Sequence, residues 1–282
     1  MLSLIIPSHN EENHILPCLR AIAVQTGLPV GHGMQVIVAA NGCRDATVAL
    51  AQSMDTDLTA AGFDLTVLDI AEGNKINALN RAELAARYAD RVFIDADVVL
   101  GPTLLSELAE HLKAENAVYA SGAVRIPRPR SLITRAFAKV WTDLPFYKND
   151  VPGIGLYAVN AAGRARWGAF PPIIADDRFV RLQFAPHERR KAKATYQWPL
   201  PEGFRNLVNV RHRWAEGNLE LATKFPDLLA NEVEVNKTWK NALGLLRTPF
   251  ASMIYVLIYV VSSGRAKQSV RQSNGKWLRG RD

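Results

Sequence analysis

The feature that most constrains this 282-residue chain is an alternation repeated through its first hundred residues: a short continuous apolar run, a polar cluster, then apolar residues at helical spacing. Leu2 to Ile6, closed by Pro7, has the pattern of a strand buried on both faces of a parallel sheet. After Ser8-His9-Asn10-Glu11-Glu12, the residues Ile15, Leu19, Ile22 and Ala23 recur at helical spacing up to Gly27, and the acidic pair sits where a helix N-terminus favours negative charge. The unit repeats as a strand from Met34 to Ala40, a turn over Asn41–Asp45 and a helix from Ala46 to Met54 that Asp45 could cap. A third round has a strand over Leu65–Ile70, a turn at Gly73-Asn74 and a helix from Lys75 to about Tyr88, and a fourth opens with Val92-Phe93-Ile94. Such alternation implies βαβ units and an α/β fold with a Rossmann-like, doubly wound, mainly parallel sheet. Ligands of these sheets bind where the strands' carboxyl ends emerge, and every polar cluster just named lies at such an end.

Beyond about residue 122 the alternation fades. Arg125-Ile126-Pro127-Arg128-Pro129-Arg130 reads as an extended basic linker, and the segments after it are aromatic and Arg-rich, expected to cover the sheet's edge and build a second site. The run Ala242–Val261 is strongly apolar but interrupted by Arg247 and Pro249, which leaves an uninterrupted stretch shorter than the roughly 20 residues of a spanning helix, and is expected to be interfacial or packed, not spanning. The tail from Ser262 to Arg281 has six Lys/Arg and no acid and ends Gly275-Lys276-Trp277-Leu278-Arg279.

Charge divides the chain in the same way. The net charge of +7 suggests an anionic partner, but residues 1–121 hold 7 Lys/Arg against 15 Asp/Glu, and residues 122–282 hold 27 against 12. That polarity speaks against a simple nucleic-acid binder and calls for two kinds of site. Cys18 and Cys43 are the only cysteines and form no CxxC pair, so neither a zinc knuckle nor an oxidised secreted scaffold is supported. The N-terminus lacks a basic region ahead of its short apolar run, and the chain is expected on the cytoplasmic side, peripheral at the inner membrane face.

Three clusters can carry chemistry. Asp95-Ala96-Asp97 places carboxylates at i and i+2 where a buried strand runs out, and two oxygens on one strand face can reach a hard divalent cation, Mg²⁺ or Mn²⁺, that also holds a diphosphate. Two solvated acids in a loop is the competing reading. Asp176-Asp177 lies between Ile173-Ile174 and Phe179-Val180; apolar surroundings and a like-charged neighbour raise a carboxyl's pKa and suit a general base, while an ordinary surface turn would look the same. Arg211-His212-Arg213-Trp214 joins cations that grip diphosphate to a ring that stacks on a sugar, or is an exposed basic helix with one buried Trp. Lys75, opening its helix, could reach a phosphate or be merely exposed.

Taken in order, these pieces resemble family 2 glycosyltransferases of the GT-A fold. Ile6-Pro7-Ser8-His9-Asn10-Glu11 is similar to that family's (I/V)PxxNE turn, Asn41-Gly42-Cys43-Arg44-Asp45-Ala46-Thr47 to its NGSxDxT turn, and Gly73-Asn74-Lys75-Ile76-Asn77-Ala78-Leu79-Asn80 to its GKxxALN helix. Asp95-Ala96-Asp97 falls at the DxD position, Asp176-Asp177 at the (T)ED position and Arg213-Trp214 at the end of QxxRW.

The resemblance implies roles. Pro7, Ser8, Glu11, Asn41, Lys75, Asp95 and Ala96 would bind the nucleotide-sugar donor, and Asp97 with Asp95 the metal, Mg²⁺ or Mn²⁺. Asp177 would be the base in one inverting displacement, with Asp176, Arg213 and Trp214 on the acceptor and diphosphate side. It further implies residues 1–121 as a nucleotide-sugar-binding half, 122–217 as an acceptor-side half and 218–282 as a basic, partly apolar helical extension. The implied reaction moves a sugar, UDP-linked foremost, to the hydroxyl of a glycan or lipid-linked acceptor in cell-envelope or exopolysaccharide synthesis, with an anionic membrane surface as a further partner and no nucleic acid. The chain departs from the family in having Ala39-Ala40 where an Asp often contacts uracil, Val210 in place of the Gln of QxxRW, and Asp176 in place of Glu. Processive synthases that keep QxxRW intact carry several spanning helices, so transfer of one sugar at a time is expected. A sugar-nucleotide nucleotidyltransferase would open with a Gly-rich basic phosphate loop, which does not come after the first strand; a silent membrane-docking scaffold would bind no nucleotide sugar.

Overall fold

The structure, a computed structural model, describes residues 1–28, 33–233 and 248–273. It divides into two compact units, the first made of residues 1–125, 151–172 and 183–198, the second of 126–150, 173–182 and the chain from 199 onward.

The first unit holds one eight-stranded sheet. In chain order its elements are β1 (Leu2–Ser8), α1 (Ile15–Ala23), β2 (Met34–Asn41), α2 (Thr47–Gln52), α3 (Asp55–Ala60), β3 (Phe63–Ile70), α4 (Lys75–Ala85), β4 (Asp90–Ile94), β5 (Val99–Leu100), α5 (Leu104–Leu112), β6 (Tyr119–Arg125), β7 (Leu156–Val159) and β8 (Arg189–Gln197). The strand order is β3-β2-β1-β4-β7-β6-β8-β5, parallel through β3, β2, β1 and β4. β7 then runs antiparallel to both β4 and β6, and β8 pairs parallel with β6. The four parallel strands are those the apolar runs indicate. β2 is buried along its whole length and β1 everywhere but Pro7, which is why their sequences read as continuous apolar stretches. α1 buries Ile15, Cys18, Leu19 and Ile22, one face at helical spacing. Residues 119–125, 156–159 and 189–197 do not merely cover the sheet's edge, as their sequence suggests, but extend the sheet itself. β8 reads RRKAKATYQ, and its exposed cations hide the strand pattern.

An aromatic row runs through this unit's core: Phe170 meets Phe93 edge-on at 5.5 Å, Phe93 stacks on Tyr157 at 4.8 Å, Tyr157 stacks on Tyr119 at 5.7 Å, and Tyr119 meets Phe184 at 5.6 Å. A Cβ on Gly153 would lie 1.7 Å from the Tyr119 hydroxyl oxygen, so glycine is the residue that lets the chain pass this row.

The second unit is helical: α6 (Leu132–Trp141), α7 (Asp176–Arg181), α8 (Phe204–Lys224) and α9 (Pro249–Ser273). Ser131 caps α6 by accepting from the Thr134 N–H. Glu202, just before α8, accepts from the N–H groups of Arg130 and Ser131 at 2.7 and 2.9 Å. α9 packs on α8 and α6, with Phe137 and Tyr255 stacked at 5.3 Å. Pro249 is the first residue of α9, where a missing N–H costs nothing, so it starts the helix and does not interrupt it. The 18-residue window Pro249–Ala266 is long and apolar enough to cross a membrane by length and composition alone. Arg247 and the segment 274–282, with the Gly275–Arg279 ending, lie outside the described residues.

Gly42 gives the fold its sharpest local test. Its φ is +60°, and a Cβ there would come 2.7 Å from both the Cα and the N of Gly73, backbone against backbone. Gly42→Ala is expected to cost about 1–3 kcal/mol, read as a lower Tm in thermal unfolding, whereas alanine at the exposed, negative-φ Gly264 should leave Tm within a degree or so of the parent.

Candidate active site

The loops at the carboxyl ends of β1 and β2 are built as one piece. Asn41, the last residue of β2, donates its side-chain amide to the Ser8 carbonyl at 2.8 Å, and the His9 ring bonds the Asn41 carbonyl through Nδ1. Asn10 adopts a left-handed φ of 54° and accepts from the Arg44 N–H at 2.8 Å. The Glu11 N–H donates to Thr47 Oγ1 at 2.7 Å, and the Glu12 N–H to Asp45 Oδ2 at 3.1 Å. Asp45 also accepts from the Thr47 N–H at 3.0 Å. It therefore serves the start of α2 from one residue outside the cap, which is Ala46. Burial would raise the Asp45 carboxyl, but the hydrogen bonds from Thr47 and Glu12 outweigh it and hold it below the usual range.

Lys75 begins α4 behind the cap Asn74, whose side chain accepts from the Asn77 N–H at 3.1 Å. Its ammonium lies 3.2 Å from Asp95 Oδ1 in an exposed pair. Asp95 and Asp97 do not sit on a strand face: β4 ends at Ile94, and Asp95-Ala96-Asp97 forms a turn in which the Val98 N–H donates to the Asp95 carbonyl at 3.0 Å. The Asp95 N–H in turn donates to the Gly155 carbonyl at 2.7 Å. Turn geometry, and not the strand pleat, brings these carboxylates together. Ala96 is buried, and Asp97 Oδ1 is buried with no hydrogen-bond partner among the described residues. Burial first, then the charges of Asp95 and Glu11, push the Asp97 carboxyl up to about 7. The Glu11 carboxylate bonds the His14 ring at 3.0 Å.

A buried carboxylate oxygen without a partner, beside further acids, fits a hard divalent cation. Among the described residues no cluster of three His, Cys, Asp or Glu is arranged to hold a metal alone. An ion at Asp97 would complete its shell with oxygens of another molecule, as a cation shared with a diphosphate does.

Pro7, Ser8, Glu11, Asn41, Lys75, Asp95, Ala96 and Asp97 thus all fall in the first unit; Asp176, Asp177, Arg213 and Trp214 fall in the second. Asp176 and Asp177 open α7, where a helix N-terminus favours negative charge. Asp176 is buried. The Ile174 N–H donates to Glu220 of α8 at 2.8 Å, and Gly217 of α8 has room for no Cβ without crowding Ile174 and the Ala175 backbone to about 3 Å. α7 is pinned at Arg178, which bonds Glu232, and at Arg181, which bonds Glu232 at 2.6 Å and also pairs with Asp150. Arg213 and Trp214 lie on α8. The Trp214 ring stacks on Trp141 at 6.0 Å, and Arg211 lies 5.7 Å over Trp214 and 5.2 Å over Tyr259.

A mainly parallel sheet whose carboxyl edge presents interlocked polar loops, a helix-opening lysine and an Asp-X-Asp turn defines a GT-A nucleotide-sugar transferase fold. The sequence pattern described as "Glycosyl transferase family 2" matches residues 3–164, and the chain belongs to that family of glycosyltransferases. Comparison with curated protein sequences finds no match. Among solved structures, the chain is similar to the mannosyltransferase PcManGT from Pyrobaculum calidifontis in complex with GDP-Man and Mn²⁺, at 19% identity and a TM-score of 0.61 over 99% of this chain and 76% of that one. It also resembles glucosyl-3-phosphoglycerate synthase from Mycobacterium tuberculosis with Mn²⁺, UDP and glucosyl-3-phosphoglycerate (18%, 0.52, covering 76% and 77%), and S. aureus TarS 1–349 with UDP-GlcNAc (13%, 0.52, covering 100% and 94%). At these identities the likeness is one of fold.

Sequence reasoning missed Gly155, whose carbonyl holds the Asp95 turn from sixty residues away; the Gly153-Ile154-Gly155 pair was the available signal. It also missed Trp141, Glu232 and the arginines of α7, because their partners are distant in sequence.

The raised Asp97 carboxyl has a pH signature. The folded state keeps a proton that the unfolded chain releases near pH 4, so stability of the metal-free protein falls as pH rises from about 4 to about 7 through this group. Asp97→Asn should flatten that fall, seen as a smaller Tm loss between pH 5 and pH 8 than in the parent. A Mn²⁺ ion held by the Asp97 carboxylate would bind about tenfold more weakly for each unit of pH below 7, measured by calorimetry; an affinity constant from pH 5 to 8 would exclude Asp97 from holding it.

Proposed function

We propose that this family 2 enzyme transfers one sugar per encounter from a nucleoside-diphosphate sugar, UDP-linked foremost, to an acceptor hydroxyl with inversion. The observation that carries the proposal is the unpartnered buried oxygen of Asp97 beside Asp95 at the carboxyl edge of β4. Pro7, Ser8, Glu11 and Asn41 line the nucleoside side, supported by the hydrogen bonds that lock their loops. Lys75 offers a cation for phosphate oxygens and keeps Asp95 in place. Asp97 and Asp95 would hold Mg²⁺ or Mn²⁺, which when bound supplies charge stabilisation for the departing diphosphate. Solved neighbours described with Mn²⁺ and with UDP, GDP-Man or UDP-GlcNAc support this choice of donor and ion.

Asp177 takes the base's role assigned by its match to the (T)ED position. It accepts the acceptor hydroxyl's proton as that oxygen bonds the anomeric carbon, and the bond from that carbon to the diphosphate oxygen breaks with its electron pair going to the nucleotide. Arg213 and Trp214, with Asp176, serve the diphosphate and acceptor side, and the Trp141–Trp214 stack with Arg211 offers flat apolar surface of the kind that binds sugars. A glycan or lipid-linked acceptor on the cytoplasmic side, in cell-envelope or exopolysaccharide synthesis, completes the proposal.

The first test is a thermal-shift series with UDP- and GDP-sugars in the presence and absence of Mn²⁺ or Mg²⁺. A donor that binds only the folded state raises Tm, and the expected rise requires the cation; no rise with any donor would sink the proposal. Asp97→Asn should lose both the cation-dependent rise and transfer while unfolding cooperatively. Asp177→Asn should keep the rise and lose about 10²–10⁴ in kcat, so loss of donor binding in that variant would remove Asp177 from the base's role.

A further inference from the structure

α9 is apolar on both sides, and only one side is covered by protein. Ala251, Ile254, Ile258, Ser262 and Ala266 are buried, at spacings of three and four that mark one face, and α9 packs on α8 and α6. On the opposite face Phe250, Met253, Leu257 and Val260 are each half or more exposed, with Val256 and Tyr259 beside them. A helix apolar all round belongs in a core or in lipid, and scattered exposed apolar residues are ordinary where a continuous row is not. The spacing of that row, carried along the sequence, falls next on Gly264, Lys267 and Arg271.

Charge decides between the surfaces that could cover the row. From Pro249 to Arg281 there are six Lys/Arg and no Asp or Glu, and Arg128 and Arg130 stand exposed before α6 in the same unit. Over residues 126–150, 173–182 and 199–282 there are 20 Lys/Arg against 11 Asp/Glu, a net of +9. A second copy of the chain would bring the same positive charge against this face and repel. An anionic lipid surface offers an apolar layer for the row and negative headgroups for the cations.

We propose that α9 lies in the plane of an anionic membrane surface, with the Phe250–Met253–Leu257–Val260 row in the acyl boundary and the cations beyond it on the headgroups. Crossing the bilayer would require α9 to leave α8 and α6 and expose the Ala251–Ile254–Ile258–Ala266 face, so the helix docks without spanning, although its length would suffice. This inference rests on the helix and the charge of its unit, and not on the proposed donor chemistry.

The full chain should co-sediment with vesicles of mixed phosphatidylglycerol and phosphatidylcholine and not with phosphatidylcholine alone. High salt should weaken the binding, and an alkaline carbonate wash should release it. Met253→Glu with Leu257→Glu, both on the exposed face, should weaken vesicle binding by about tenfold or more while Tm is unchanged. Lys267→Glu with Arg271→Glu should remove the preference for phosphatidylglycerol. Asp97→Asn should bind vesicles like the parent, separating this result from the fate of the proposed activity. Equal binding to both vesicle types, retention after carbonate, or a concentration-dependent dimer in sedimentation that the Met253/Leu257 pair abolishes would each overturn the inference.

Discussion

The site depends on one physical constraint: the loops that leave β1 and β2 must satisfy each other's backbone groups. Parallel strands deliver chain ends side by side, and a loop at such an end has polar groups that no strand neighbour will pair. The chain solves this reciprocally, with Asn41 reaching back to Ser8, Thr47 and Asp45 accepting from Glu11 and Glu12, and Asn10 accepting from Arg44. The close approach of Gly42 to Gly73 draws the loop after β3 into the same arrangement. Residues that look like a string of separate motifs are therefore one hydrogen-bonded platform, and a ligand bound on it would meet groups already fixed.

This explains why the first half was legible. Strands buried on both faces must be continuously apolar, so β1, β2 and β4 announce themselves, and the loops after them carry Asn, Asp, Gly and Thr because reciprocal bonding needs those side chains. Legibility fails where structure is set at long range. The Asp95–Asp97 turn looks like a strand continuation because the acids alternate after an apolar run, yet its own Val98 N–H to Asp95 carbonyl bond turns the chain, and the carbonyl that anchors its entry belongs to Gly155. β8 is a strand by pairing with β6 and β5, not by its own cation-rich pattern. α3 leaves no clear periodic signal because it is six residues long with a single buried side chain, Leu58.

The second unit is held by a different means. Arg178 and Arg181 converge on Glu232, and Arg181 also meets Asp150. Burial alone would push the Glu232 carboxyl up, but the charge of Arg181 and the hydrogen bond from Arg178 outweigh it and hold it below the usual range. Such buried ionic clusters are costly to break and add little over well-packed apolar residues, so their best-attested use is to fix one arrangement among several. Here the arrangement fixed is that of α7, whose first two residues are Asp176 and Asp177.

The Asp97 turn and the second unit thus use charge in opposite ways. At the carboxyl end of β4 acids gather without full compensation: Asp97 keeps an unpartnered oxygen and a carboxyl raised to about 7, a state that costs stability unless a cation arrives, whereas Glu83 and Glu188 of the same unit pair with arginines. In the second unit, acids such as Glu232 and Glu220 are each met by Arg, Lys or backbone N–H. The net charge of +7 averages over these two conditions. What distinguishes Asp97 is a buried oxygen with no partner among the described residues, beside other acids, and it is that acid that points to a ligand.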